Sequence, residues 1–121
     1  MATLDPDAQA LYVRALLAIA RCDREIDAAE GNRLDEVVKN RFPEVSVGEL
    51  MFEPALRTDE LARKVKPSAE VAKMFVDDAL GIMAAQDGLS SAEEAALMRF
   101  ATLFGMPDHE VRAAIGGAGK R

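Results

Sequence analysis

Apolar residues recur three or four positions apart in the first stretch of this chain, directly after Asp5-Pro6. This spacing places them on one face of an α-helix. An aspartate followed by a proline is typical of a helix start, because the carboxylate accepts hydrogen bonds from free N–H groups and proline fits the first turn. The pattern predicts a first helix that ends near Cys22. Its apolar face consists of Ala8, Leu11, Tyr12, Ala15, Leu16 and Ile19.

A second helix is predicted to follow the capping signal at residues 27–30 and to end by Phe42, since Pro43 disfavours helical geometry before it. Residues 43–67 contain three prolines, which interrupt helices, so we expect only short helical turns there. One should lie over residues 47–51, and another, capped by Thr58, over residues 58–66. Because this segment is also rich in apolar residues, we interpret it as a helical connector inside one domain.

The second half repeats the helical periodicity. A long helix is predicted over residues 71–86, ended by Asp87-Gly88. Ser90 and Glu93 have the spacing of a capping box, which starts the next helix, and Gly105 should end it. A last helix should run from 107 to 115, and we expect the glycine-rich residues 115–121 to fray. The buried stripe of the helix after Ser90 is predicted to be Leu97, Phe100, Ala101 and Phe104.

One short pattern occurs twice. Residues 23–30 and residues 87–94 each follow an apolar stretch and lead into the first turn of a helix, and each begins with an aspartate. An internal repeat of this kind indicates repeated structure. Since neither half can bury its apolar face alone, the sequence predicts an all-α bundle of two pseudo-symmetric helical hairpins joined by the connector. We expect residues 1–121 to form a single domain.

Composition and charge narrow the classes of partner. The net charge of −6 disfavours nucleic acid, because an acidic surface repels phosphates. The single cysteine excludes an intrachain disulfide and fits a reducing compartment. No apolar run approaches the roughly 20 residues that span a bilayer, and no secretory signal is visible, so we expect a cytoplasmic protein without membrane insertion.

Four carboxylates are the candidates for chemistry. Asp23 and Asp87 follow predicted helix ends, while Glu30 and Glu93 lie in the first turns of the next helices. If the halves pack with pseudo-symmetry, all four can meet at one end of the bundle. Hard cations such as Ca²⁺ or Mg²⁺ prefer such oxygen ligands, although the spacing is not that of an EF-hand. The alternative is that these residues only form turns and cap helices.

Other catalytic chemistry finds little support. His109 is the only histidine, and a single histidine excludes a multi-histidine zinc site. We expect it to be an exposed first-turn residue. Cys22 is expected to be a half-buried small apolar residue rather than a nucleophile. The chain contains no phosphate-binding glycine loop, serine nucleophile motif or dinucleotide fingerprint. We therefore expect a protein that is not an enzyme.

The segments ALLAIARCDREIDAAE and ALGIMAAQDGLSSAEEAALMRFATLFGMPDHEV resemble the tellurite-resistance TerB family and its relatives. These relatives include the TerB-like domain of a membrane-anchored DnaJ-type co-chaperone. The resemblance extends from about Leu11 to Val111 and implies an all-helical fold of two pseudo-symmetric halves. It also implies a divalent cation held by Asp23, Glu30, Asp87 and Glu93. The chain departs from the family pattern at Arg24, where a glycine is usual and where the guanidinium can pair with a carboxylate in place of a cation.

The resemblance implies a small non-enzymatic protein of a bacterial stress-response assembly, of the tellurite-resistance type. A protein partner is expected, and peripheral association with a membrane through that partner is compatible with the family. The alternative is a metal-independent protein-interaction module, or a homodimer, in which the carboxylates only cap helices.

Overall fold

The computed structural model describes residues 5–21, 28–50, 56–83 and 90–119, and within these ranges the chain is helical with no β-strand. This confirms the predicted all-α class. The described helices are α1 (Pro6–Ala20), α2 (Ala28–Arg41), α3 (Val47–Leu50), α4 (Thr58–Lys64), α5 (Ala69–Met83), α6 (Ser91–Phe104) and α7 (Asp108–Gly119).

Two helix starts, at Asp5 and Ser90, follow the predicted capping chemistry. The Asp5 carboxylate accepts a hydrogen bond from the Ala8 N–H at 2.8 Å, as expected for the N-terminus of α1. The prediction that Thr58 caps α4 is wrong. Arg57 occupies that position, with an extended backbone (ψ 144°), and its carbonyl accepts from the Leu61 N–H at 3.1 Å. Thr58 is therefore already the first helical residue, and no side chain caps this helix.

α1 lies at the centre of the bundle. Eight of its 15 residues are buried, and it packs against α2, α3, α5 and α6. A helix that is apolar on most of its circumference must be covered on several sides. α5 is buried to the same extent and packs against α1, α2, α6 and α7. The core therefore forms around α1 and α5. α2, α3, α6 and α7 pack on this pair, and α4 packs against α6.

An aromatic cluster fills the centre of the core. Tyr12 makes edge-to-face contacts with Phe42 and Phe75, with ring centroids 5.1 and 5.3 Å apart. Phe104 lies against both Tyr12 and Phe75. Such geometry is favourable for aromatic rings beyond the apolar area that it buries. The cluster joins α1 and α5 to the C-terminal ends of α2 and α6.

Gly105 ends α6, as predicted, because the chain turns there with a φ of +125°. The turn also brings two backbones together. The Ser68 N–H donates to the Phe104 carbonyl at 2.7 Å, and a Cβ at residue 105 would lie 2.7 Å from the Ser68 nitrogen. Only glycine allows both the positive φ and this close approach.

The last helix is longer than the sequence indicates. α7 starts at Asp108, close to the predicted start, but its described helical residues extend to Gly119 rather than stopping near Ile115. Among the described residues, no helix is both long enough and apolar enough to cross a membrane.

Candidate functional site

Two of the four predicted site residues lie in described helices, and both are buried. Glu30 in the first turn of α2 is 0% exposed, and Glu93 in the first turn of α6 is 1% exposed. Asp23 and Asp87 lie outside the described residues. Glutamates are rarely buried to this extent, because removing an ionised carboxylate from water is costly unless donors or cations compensate it.

Glu93 combines a structural role with an orphaned oxygen. Its Oε1 accepts from the Ser90 N–H at 2.9 Å, while the Glu93 N–H donates to the Ser90 hydroxyl at 3.1 Å, which completes the predicted capping box. Its Oε2 is buried and has no hydrogen-bond partner within the described part of the chain. Capping thus accounts for one carboxylate oxygen but not for the burial of the other.

Glu30 occupies a core position of α2. The buried residues of this helix are Glu30, Leu34 and Val38, spaced four apart and therefore on one line of the helix surface. One turn after Glu30, the Arg33 Nε lies 3.5 Å from the Gly81 carbonyl oxygen in the last turns of α5. The N-terminal end of α2 therefore lies beside the C-terminal end of α5.

Chain connectivity brings four helix ends towards one another. Residues 22–27 join the end of α1 to the start of α2, and residues 84–89 join the end of α5 to the start of α6. Since the start of α2 also lies beside the end of α5, both buried glutamates belong to this end of the bundle. Helix N-termini carry a partial positive charge, and helix C-termini carry a partial negative charge.

The remaining candidates for metal ligation are less informative. His109 is exposed in the first turn of α7, as predicted. Cys22 and Arg24 lie outside the described residues. Across residues 5–21, 28–50, 56–83 and 90–119, no three His, Cys, Asp or Glu side chains come together as a metal site would require. A cation at Glu93 would therefore need further ligands from backbone carbonyls, from residues outside these ranges or from water.

A buried polar network that the sequence pattern did not predict links three helices of the bundle. Asp78 of α5, with its side chain 8% exposed, accepts from the Tyr12 hydroxyl and from Arg41. The Arg41 contacts are Nε to Oδ2 at 3.1 Å and Nη2 to Oδ1 at 2.7 Å. Burial raises the pKa of Tyr12 far above its usual value, and the hydrogen bond and negative charge of Asp78 add to this rise. The network ties α1, α2 and α5 together.

The sequence does contain a signal for this network. Val71, Phe75 and Ile82 mark the buried line of α5, and Asp78 falls on that line where an apolar residue is expected. Arg41, the last residue of α2, carries the positive charge that pairs with Asp78. The pairing itself depends on how α2 crosses α5, and no local sequence pattern specifies that crossing.

A second charged group lies between α1 and α4. Arg14 reaches both oxygens of Glu60, at 3.3 and 3.5 Å, and Lys64 adds a contact at 3.6 Å. The Arg14 hydrogen bond is the main reason that the pKa of Glu60 lies below its usual value. Both cations share the one carboxylate of Glu60, so the arrangement links α4 to α1.

Comparison of the chain with protein-family models, with curated proteins and with solved structures finds no match.

Proposed function

We propose that this chain is a small TerB-like protein that binds a divalent cation through Glu30, Glu93 and the turn aspartates Asp23 and Asp87. It acts as a non-enzymatic component of a bacterial stress-response assembly of the tellurite-resistance type. The cation class follows from the ligand chemistry, since carboxylate and carbonyl oxygens suit hard cations such as Ca²⁺ and Mg²⁺.

One observation carries this proposal. Glu93 Oε2 is buried and lacks a hydrogen-bond partner among the described residues, whereas Oε1 accepts from the Ser90 N–H in the capping box. A purely structural capping glutamate does not require its second oxygen to be buried. A cation supplies the charge that offsets the cost of such burial.

The proposal includes the pseudo-symmetric arrangement of two hairpins, α1 with α2 and α5 with α6. Supporting observations are the matched positions of Glu30 and Glu93 and the packing of each half's first helix against the other half's second helix. In this arrangement the repeated acidic turns belong to the same end of the bundle. Arg24 makes the first turn the weaker contributor, because its charge competes with a cation.

Thermal melting with and without cations tests the proposal. We expect Ca²⁺, Mg²⁺, Mn²⁺ or Zn²⁺ to raise the melting temperature relative to chelator. A ligand at one hundred times its Kd adds about 2.7 kcal/mol, or roughly 10 °C for a domain of this size. Glu93→Gln should remove most of this rise yet retain the capping box, because glutamine also serves at that position. The exposed neighbour Glu94→Gln is the matched control.

The capping box itself favours a second candidate, a metal-independent interaction module or homodimer. In that case the same cations leave the melting temperature unchanged, and Glu93→Gln behaves like Glu94→Gln. Chelator then changes neither dimerisation, measured by light scattering, nor partner binding, measured by co-purification. A chelator-resistant melting curve in the wild-type protein would reject the cation proposal in favour of this one.

A further inference from the structure

An open groove of about 430 Å³ lies on the side of α6 that faces away from the core, between α4 and α7. One residue of α4, four of α6 and one of α7 line it: Thr58, Met98, Arg99, Thr102, Leu103 and Asp108. On α6, the spacing of four from 98 to 102 and from 99 to 103 places these side chains on one helix face. The groove is large enough to hold side chains of a partner, since its volume is within the range of ligand-binding clefts.

The floor of this groove is apolar and held in place. Met98 and Leu103 pack against the core on one side and line the groove on the other, outside the buried stripe of α6. The Thr102 hydroxyl lies 2.9 Å from Asp108 Oδ1, and this hydrogen bond links the first turn of α7 to α6. Methionine adapts to partners of different shape because its side chain is unbranched and polarisable. The floor therefore offers apolar contact to a side chain that enters the groove.

The positive charge of the groove itself comes from Arg99. This residue is exposed and makes no ion pair with the rest of the described chain. Asp108 is the one carboxylate among the lining residues, and it is engaged by the Thr102 hydroxyl. It also lies in the first turn of α7, where the helix dipole favours a negative charge. Arg99 is thus the lining charge that no group of the described chain offsets.

The α4 edge of the groove adds further positive charge. Arg57 and Arg63 contact the carboxylate of Asp59, which directly follows the lining residue Thr58, at 3.1 and 4.0 Å. Two guanidinium groups share one carboxylate, so these three side chains keep one net positive charge. The whole chain has a net charge of −6. The surroundings of the groove therefore differ in sign from the molecule as a whole.

We propose that this groove binds a short acidic segment of a partner protein, with its apolar side chains on Met98 and Leu103 and a carboxylate beside Arg99. Residues 98–103 span about 7.5 Å along the helix axis, which leaves room for one or two apolar side chains. Arginine and methionine are enriched at protein interfaces. The inference does not depend on the cation site.

Charge complementarity selects this class of partner. The net charge of −6 repels an acidic segment from the molecule in general, whereas Arg99 and the arginines of the α4 edge attract it at the groove. Opposite charges across an interface guide the encounter and fix the register, while apolar contact adds affinity. A lysine-rich segment would meet Arg99 as a like charge. An acidic segment with apolar side chains is therefore the partner that fits both the floor and the charge of the groove.

Fluorescence anisotropy on the full chain tests this inference with three labelled peptide pools. Each pool has leucine, isoleucine, phenylalanine or methionine at two positions four apart. The positions beside them hold glutamate in the first pool, glutamine in the second and lysine in the third. We expect the glutamate pool to bind about tenfold or more tightly than the lysine pool, with the glutamine pool between them.

Three variants locate the binding site. Arg99→Glu should weaken binding of the glutamate pool by about tenfold or more, because repulsion replaces attraction. Lys39→Glu makes the same change of charge at a 75% exposed side chain of α2, which does not line the groove, and should change binding by less than about twofold. Leu103→Gln removes part of the apolar floor and should weaken binding by about fivefold or more. Thermal melting of each variant verifies that the fold is retained.

Four outcomes overturn the inference. If the glutamine pool binds as tightly as the glutamate pool, charge does not select the partner. If Arg99→Glu and Lys39→Glu weaken binding equally, the segment does not bind at this groove. If no pool binds at concentrations up to about 1 mM, the groove is not a docking site for such segments. If the chain alone self-associates in sedimentation and Arg99→Glu abolishes this, the occupant is a second copy and not a separate partner.

Discussion

The network of Tyr12, Asp78 and Arg41 allows a sharp test of how the bundle is held together. The perturbation is a double-mutant cycle on Tyr12→Phe and Asp78→Leu. The first change removes a buried hydroxyl. The second removes the carboxylate that accepts the hydrogen bond of this hydroxyl, and it places an apolar side chain on the buried line of α5. The double variant removes both polar partners and leaves Arg41, 39% exposed, free to turn to water.

The expected magnitudes follow from burial. Tyr12→Phe removes a hydrogen bond to a charged acceptor, which costs about 1.5–3 kcal/mol. Asp78→Leu leaves the buried Tyr12 hydroxyl without an acceptor, which costs about 1–3 kcal/mol. It also removes the ion pair with the half-exposed Arg41, which adds at most about 1 kcal/mol. In the double variant no buried polar group is stranded, so its cost should lie about 1–3 kcal/mol below the sum of the single costs.

Urea denaturation followed by far-ultraviolet circular dichroism measures these free energies of unfolding. The control is a cycle on the exposed pair Asp35 and Lys39, with side chains 53% and 75% exposed, whose coupling should stay below about 0.5 kcal/mol. If Tyr12→Phe and Asp78→Leu add to within about 0.5 kcal/mol, the three side chains do not act as one buried network and the reasoning is refuted.

Three further predictions concern single features. Tyr12 is the only tyrosine, and its pKa is raised by burial. The unfolded state therefore releases a proton first, and the free energy of unfolding should fall by about 1.4 kcal/mol per pH unit above about pH 10. Urea titrations should lose this slope in Tyr12→Phe. Gly105→Ala should destabilise the protein by at least about 1–3 kcal/mol, because residue 105 has a positive φ and its Cβ would meet Ser68. Gly81→Ala, with open space around the Cβ position, should stabilise the protein by up to about 1 kcal/mol. Equal effects of the two variants in thermal melts would contradict this. Ser90→Ala should cost about 1 kcal/mol in the same assay, and an unchanged melting temperature would show that the capping box contributes nothing.

The helices could largely be predicted from the sequence, because their determinants are local. Asp5 and Ser90 mark helix starts, and Gly105 marks a helix end, where each acts within one turn of its own position. The error at Thr58 has the same local origin. A threonine one residue inside α4 resembles a cap when only residue types are considered, and the backbone angle of Arg57 decides the matter.

The polar network could not be predicted in the same way. Asp78 and Arg41 are 37 residues apart, and Tyr12 lies 66 residues from Asp78. Their meeting depends on the crossing of α2, α1 and α5, which is set by packing over the whole core. The candidate site was predicted in part: the sequence identified Glu30 and Glu93 as first-turn residues, but not that both are buried.

The carboxylates of Glu30, Asp78 and Glu93 lie on helix lines that are otherwise apolar. The hydrogen bonds of Asp78 and Glu93 distinguish a carboxylate that links helices from one with an unused oxygen. Both oxygens of Asp78 are occupied by donors of the chain itself, so this residue explains its own burial as a link between helices. Glu93 has one oxygen engaged and one buried without a partner in the described part of the chain. A core that tolerates Asp78 shows that the fold can satisfy a buried carboxylate with internal donors. The partner-free oxygen of Glu93 is therefore the feature on which the proposed cation site rests, and the Glu93→Gln melting experiment tests it directly.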